Sequence, residues 1–476
     1  MMNYALVEQQ RPSESLVLGL AVYLLLWIAI FNGYPTVYDD TGGYLDVSFT
    51  PYQQPYRSII YGFFIRLASW GISPWLIVLA QCAITIYVLR AVFEYIVQKH
   101  VAINSERYFF LGLVAFLAFA TSLPWFVGQL MPDVFAALAF LSAFLLLYDP
   151  TLSFERTILL SGVLAVSVGS HLSNFISLGI VLSAVLVFRA FRKTRQIWPV
   201  SSPKRIAAFV LAPILASAAV VIECNHHAGY GFTLSAGTPV FLFNRLLENR
   251  LADGYLEEQC KIEQLTPCKY LQDLPRLTFL WGPHPLLAEM GGWLGARGEA
   301  SRIVFGTVRR YPIRFLVECV KQMFRQFITF KPGVDNYPYN SGPTVDALDR
   351  LYPGDIEKFR LTRQWSGQLK SIGERISSYY EFNFWTSLLA SVMLLLKRYS
   401  QSPVANRFFL LTLIFLFANA LVTASVSLVS DRYQSRVCWL VSLCFAAYLL
   451  PLILDWRQKR LESYIPDDYR AAGRRL

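Results

Sequence analysis

Apolar residues in this chain come in long runs separated by short polar segments. Seven runs in the first half, at 16–31, 75–97, 109–123, 134–147, 156–169, 175–188 and 206–222, have lengths near that of a bilayer-crossing helix. Three more follow at 384–396, 408–429 and 437–454, the first of them short enough to read as a longer tilted helix starting near residue 380. The pattern predicts an all-α polytopic membrane protein with about ten transmembrane helices. Between the seventh and eighth runs, roughly 160 residues lack a long uncharged apolar stretch, yet Trp281, Trp293, Trp365 and many Tyr and Phe residues can supply a core. We therefore expect a mostly helical outer domain there. Within it, residues 300–330 interleave apolar positions with Arg302, Arg309, Arg310, Arg314, Lys321 and Arg325 at helical spacing interrupted by Pro312, which predicts two amphipathic helices against the bilayer. Residues 59–70 predict another surface helix. The chain thus divides into an N-terminal transmembrane module, 1–223, an extracytoplasmic domain, 224–383, and C-terminal helices with a basic tail, 384–476.

Composition agrees with this pattern and adds a direction. Of 476 residues, 55% are hydrophobic and 16% charged, a balance that a soluble chain of this length could not keep in solution. The net charge of +11 comes from Lys and Arg clustered between apolar runs, as topology determinants are, so nucleic-acid binding is rejected. The most basic segment, 189–205, is expected inside, together with 98–107 and the C-terminal tail. The first run follows Glu8, Arg11 and Glu14 and has no small-residue cleavage site after it, so it is expected to be retained rather than cleaved. Within this topology, no internal repeat of the kind found in many transporters is visible.

That orientation places the unusual polar residues on one face. Asp39 and Asp40 follow the first run in a Tyr- and Pro-rich stretch, 33–61, which also carries Arg57; Asp133 precedes the fourth run. His171 and Asn174 follow the fifth, His226 and His227 the seventh, and Arg432, Tyr433 and Arg436 precede the tenth. Adjacent acids at a membrane surface repel each other, so they fit a place where a cation, a basic ligand or a proton-transfer task needs them. Asp40, Asp39 and Asp133 are the candidate catalytic groups, as general base or as ligands of a divalent cation such as Mg or Mn. Arg57, His171, Asn174, Arg432, Tyr433 and Arg436 are the candidate substrate-binding groups, with guanidinium and imidazole suited to phosphate. Cys82, Cys438 and Cys444 lie in apolar runs, where a thiol behaves as a small hydrophobe. Cys260 and Cys268 lie in a polar loop at a spacing that permits a disulfide, and Cys224 with Cys319 offers a second possible pair.

The segments VYDDTGGYL, PYRSIIYGFFIRL, GQLMPD, SHLSN, YPIRFL and DRYQSR, in this order along the chain, resemble the GT-C superfamily of membrane glycosyltransferases, which use polyprenyl-phosphate sugars. Protein O-mannosyltransferases and the aminoarabinose transferase of lipid A are members. The resemblance implies that Asp39 or Asp40 stands at the first acidic motif and Asp133 at the second, with Arg57, His171 and Arg432 toward the donor phosphate. It implies inverting transfer in which an outer-loop Asp, with Asp40 favoured over Asp39, deprotonates or orients an acceptor hydroxyl. The setting would be a multi-pass protein of a bacterial inner membrane, active on its periplasmic face. Two other readings stay open: a polymerase or ligase of lipid-linked glycans, expected to lean on Arg and His, and a lipid or sugar flippase, expected to carry polar groups near mid-bilayer.

Overall fold

A computed structural model describes residues 13–50, 54–97, 106–190, 200–276, 278–398 and 403–463. Residues 1–12, most of the two basic segments expected inside (98–105 and 191–199) and the tail beyond 463 lie outside the described residues. Among those described, the backbone is helical throughout, apart from loops and one isolated parallel bridge between Thr36 and Gln129.

The helices follow the apolar runs closely. In the first half they are α1 (Glu14–Asn32), α2 (Thr41–Phe49), α3 (Ile59–Ser69), α4 (Pro74–Val97), α5 (Glu106–Ala120), α6 (Leu123–Val127), α7 (Val134–Tyr148), α8 (Phe154–Ser170), α9 (Ser173–Ala190) and α10 (Pro203–His227). Local chemistry sets several boundaries. The hydroxyls of Ser13, Ser153 and Ser202 cap α1, α8 and α10, while Gly33 ends α1 at φ 88°, a left-handed conformation open to glycine. A π-helical turn at Ala207–Leu211 precedes Pro213, whose ring and missing N–H disfavour a regular turn there.

The segment between α10 and residue 367 holds α11 (Thr238–Glu248), α12 (Asp253–Gln259), α13 (Leu286–Glu289), α14 (Gly292–Arg310), α15 (Pro312–Ile328), α16 (Pro343–Leu351) and α17 (Ile356–Arg360). After them come α18 (Gln368–Arg398), α19 (Pro403–Val426) and α20 (Asp431–Ser463).

Among the described residues, six helices are long and apolar enough to cross a membrane: α1, α4, α9, α10, α19 and the Asp431–Arg457 part of α20. The chain is therefore a helical, multi-pass membrane protein. The remaining predicted runs are helices too, but length and apolarity do not bring the count to ten. α5 and α7 have 15 residues each and α8 has 17, so at about 1.5 Å per residue they fall short of a hydrocarbon core of about 30 Å. α7 shows why a short helix suffices: all its residues are buried, so it is wrapped by protein and its length is not set by lipid. α18 starts well before residue 380, and its first half is polar.

Two hydrophobic clusters form. The larger includes the long helices together with Phe327, Phe330, Leu348, Phe359 and Leu369 from the segment between α15 and α18; the smaller gathers Val240, Phe243, Leu256, Phe279, Ala300 and Ile303. The expected break at Pro312 is present, since α14 ends at Arg310 and α15 begins with the proline. α15 exposes Ile313, Leu316, Val317, Val320, Phe324 and Ile328, an apolar stripe at helical spacing, and packs against α19. Cys260 and Cys268 are disulfide-bonded, as their spacing allows. The second possible pair does not form: Cys224 and Cys319 are both free.

Candidate functional site

Three segments distant in sequence are stitched together at one end of the helices. The backbone of Thr36 bonds to that of Gly128 and Leu130 (3.0 and 2.9 Å), joining the loop after α1 to the loop before α7. Buried Gln81 holds the same second loop, donating to the carbonyls of Val127 and Gln129. Gln364 bonds both backbone groups of Val37, and Thr344 donates to the carbonyls of Tyr38 and Asp39, which ties the 343–367 segment onto the acidic loop. Gly42 matters here because a Cβ would sit 2.6 Å from the Pro343 carbonyl oxygen, backbone that cannot move aside cheaply. Gly42→Ala is expected to lower stability by about 1–3 kcal/mol through overpacking and to displace Asp40, which thermal unfolding of the purified protein would register.

On this frame lies a chain of alternating charges. Asp40, at the start of α2, accepts bonds from Arg57 and from Nη1 of Arg432 (2.7 Å). Arg432 turns its Nε and Nη2 to Asp133 (3.1 and 2.8 Å), and Arg436 approaches the other Asp133 oxygen at 3.3 Å. Both arginines reach one carboxylate because they stand one helical turn apart at the start of α20. Asp133 is fully buried at the N-terminus of α7, where the helix dipole also favours a negative charge. Arg436 continues to Ser173 Oγ (3.0 Å) and Asn419 Oδ1 (2.9 Å), and Ser173 Oγ lies 2.7 Å from His171 Nδ1. Aromatic faces cover the cations, Tyr38 under Arg432 at 4.3 Å and Tyr44 and Tyr56 beside Arg57.

The carboxylates are not equivalent. Burial alone would raise the pKa of Asp40, but the guanidinium groups of Arg57 and Arg432 outweigh it and hold the carboxyl well below the usual range. Asp39 is exposed at the rim, and there partial desolvation and the Asp40 charge raise it, against weaker lowering by Tyr339, Arg432 and Arg57. Asp335, in the loop after α15, is pushed up to about 6 by burial and then by Asp431. It lines a small cavity with Tyr38, Trp125, Gln129 and Arg432. His171 is pushed down to about 3 by burial and by Arg436, so its ring is neutral.

Most residues expected at the site do meet there: Asp40, Asp133, Arg57, Arg432, Arg436, with Tyr433 between the two α20 guanidinium groups and His171 at the far end through Ser173. Asn174 does not join by contact; its amide donates to the Ser167 carbonyl instead. His226 stacks on Phe232 and His227 pairs with Glu223, both exposed on α10. Tyr38, Ser173, Asp335 and Asn419 complete the cluster and were not singled out by sequence. Ser173 lies inside the SHLSN segment, and the polar, Tyr-rich 331–342 stretch matches the texture of 51–57.

Asp39, Asp40 and Asp133, the candidate ligands for a divalent cation, are not assembled around one point. Among the described residues no three His, Cys, Asp or Glu side chains stand where they could share an ion, and Asp40 and Asp133 direct their oxygens to arginines. Those arginines occupy the places a cation would take. Compared with protein-family models, curated proteins and solved structures, the chain matches none, so its chemistry rests on this geometry.

Proposed function

We propose that the chain is a GT-C-like glycosyltransferase with about ten spans, moving a sugar from a polyprenyl-phosphate donor to an acceptor on the periplasmic face of a bacterial inner membrane. One observation carries this reading. The chain Arg57–Asp40–Arg432–Asp133–Arg436 gathers three guanidinium groups on two carboxylates in a largely buried place, with the Asp39 and Asp335 carboxylates nearby. Nε of both Arg57 and Arg436 has no hydrogen-bond partner. Guanidinium groups with unused donors favour an anion, and a phosphate leaving group is one.

In this mechanism the bond between the anomeric carbon and the phosphate oxygen breaks, and its electron pair stays on polyprenyl phosphate. The acceptor oxygen bonds to the anomeric carbon from the opposite face, and its proton passes to a carboxylate. Asp40 was the favoured base from sequence, but two arginines occupy its oxygens and lower its basicity. Asp39, exposed and raised in pKa, suits the base role better, with Asp40 holding the arginines in place. Arg57 is the cation with the most unused capacity toward the donor.

The assignment makes a pH prediction. A base must be unprotonated, and the Asp39 pKa is raised, so transfer should fall with decreasing pH at values above those of an ordinary carboxylate near 3.9. Initial rates across pH, in wild type and Asp335→Asn, would test this: an acid limb that stays in the variant belongs to Asp39, whereas one that disappears belongs to Asp335.

A polymerase or ligase of lipid-linked glycans is the second reading, favoured by the three arginines and His171 gathered around the two acids. Offering purified protein either a lipid-linked monosaccharide or a lipid-linked oligosaccharide separates the two. Turnover of the first, lost in Asp39→Asn, supports the proposal; turnover of the second alone supports the alternative.

A further inference from the structure

Four aromatic rings gather where the 54–58 loop meets the smaller hydrophobic cluster. Tyr56 lies against Trp293 of α14 at 4.3 Å between ring centroids, Trp281 adjoins Trp293 at 5.7 Å, and Phe241 of α11 lies 5.0 Å from the same indole. Phe241 and Trp293 rest on the smaller cluster, and Phe279 and Leu280 turn into it, so that core is filled without Trp281. Trp281 is instead 59% exposed. Gly237, just before α11, permits the close approach of Tyr56, because a Cβ there would sit 2.8 Å from the Tyr56 Cβ. The group is thus fixed from behind, with one indole left open to solvent.

Two observations define what such a platform takes. The first is continuity with the charge chain. The Tyr56 ring lies 4.9 Å from the Arg57 guanidinium, and Arg57 pairs with Asp40, so an extended occupant of the platform reaches that chain. The second is the chemistry of the rings. α15 exposes Ile313, Leu316, Val320 and Phe324, side chains suited to acyl chains, whereas the platform carries two indoles and a phenol, which join an apolar face to a polar edge. A sugar ring complements them. Its C–H face carries partial positive charge and lies favourably on the negative π face, while its hydroxyls stay in water or bond the polar edges.

We propose that Trp281, Trp293 and Tyr56 bind a carbohydrate, and that the acceptor of transfer is a glycan whose sugar rings stack here with its reacting end toward the Arg57–Asp40 pair. The assignment of the acceptor rests on the transferase reading; carbohydrate binding by the platform does not.

Trp281→Ala removes the exposed indole and leaves the smaller cluster intact, so it should unfold as wild type does. Full-length protein in phosphatidylcholine nanodiscs, which bring no sugar headgroup, would be offered malto-, cello-, chito- and mannohexaose, with binding followed by saturation transfer from protein to sugar C–H protons. At least one hexaose is expected to bind wild type with saturation on its C–H faces. Its dissociation constant should rise roughly tenfold or more in Trp281→Ala and be largely restored in Trp281→Tyr. No binding of any hexaose by wild type, or equal binding by Trp281→Ala, would overturn the platform whether or not transfer occurs. In transfer to acceptors extracted from the membranes, Trp281→Ala should raise the acceptor KM while kcat and the donor KM hold. An unchanged acceptor KM in a variant that has lost hexaose binding would overturn the acceptor assignment. Wild type that binds the hexaose and turns over no donor would overturn that assignment together with the transferase reading, and support the platform alone. Quenching of Trp281 by brominated phosphatidylcholine, read as the difference between wild type and Trp281→Tyr, would overturn the platform in favour of an interfacial anchor.

Discussion

Asp133→Asn is expected to be among the most destabilising single substitutions in the chain. The carboxylate is fully buried and faces both Arg432 and Arg436, so an amide leaves two guanidinium groups in a low-dielectric site with only Asp40 to balance them. Removing one member of a buried ion pair costs about 3–5 kcal/mol, because the partner's desolvation is no longer offset. Loss of the favourable charge at the start of α7 adds a few tenths to about 1 kcal/mol. In a detergent-solubilised preparation, the unfolding midpoint should drop sharply, and transfer should vanish with it. Asp39→Asn provides the contrast, since an exposed carboxylate at the rim should shift stability by no more than about 0.5 kcal/mol. Equal midpoints for the two variants would mean that the charge chain does not hold the N-terminal ends of α7 and α20 together.

Arg432→Lys should have the second largest effect, and for a geometric reason. The planar guanidinium serves Asp133 through Nε and Nη2, serves Asp40 through Nη1, and lies on the Tyr38 face. An ammonium is a point charge on a flexible stem and cannot keep both carboxylates and the ring at once. With charge-assisted bonds contributing about 1.5–3 kcal/mol each, loss of even one should show in unfolding without any donor present. Arg57→Lys separates stability from binding. Arg57 makes one ion pair, to Asp40, and has an unused Nε, so its lysine variant should unfold nearly as wild type does while its apparent donor affinity falls by roughly tenfold. Wild-type unfolding and affinity in both lysine variants would mean that any cation suffices at these positions and would refute the guanidinium geometry.

Much of this arrangement is legible in the residue pattern, and the rest is hidden for identifiable reasons. The acids after α1 and before α7 stand out because charge is scarce around apolar runs, and the spacing of Arg432 and Arg436 places both on one face of a helix. Their meeting with Asp133 across some 300 residues depends on packing, which no local pattern encodes. Asp39 and Asp40 look alike in sequence; only the positions of Arg57 and Arg432 show that one is locked and the other open. Asp335 gives no signal, since a lone acid after Lys-Pro-Gly reads as an ordinary turn. Arg245 and Glu248 resemble a surface pair at i, i+3, and packing of α11 on α14 and α19 buries them. Span counting works where helices meet lipid and falters at α7, which lies inside the protein and needs no bilayer-matched length.

The most direct test of the transferase reading follows the donor itself. Polyprenyl-phosphate sugars extracted from membranes that contain the protein would be incubated with purified wild type and with Asp39→Asn, and polyprenyl phosphate released in the presence of the extracted acceptors would be quantified by mass spectrometry. The account predicts release by wild type and a loss of about 100-fold or more in Asp39→Asn, which stays folded. No release by folded wild-type protein, or equal release by Asp39→Asn, would contradict it.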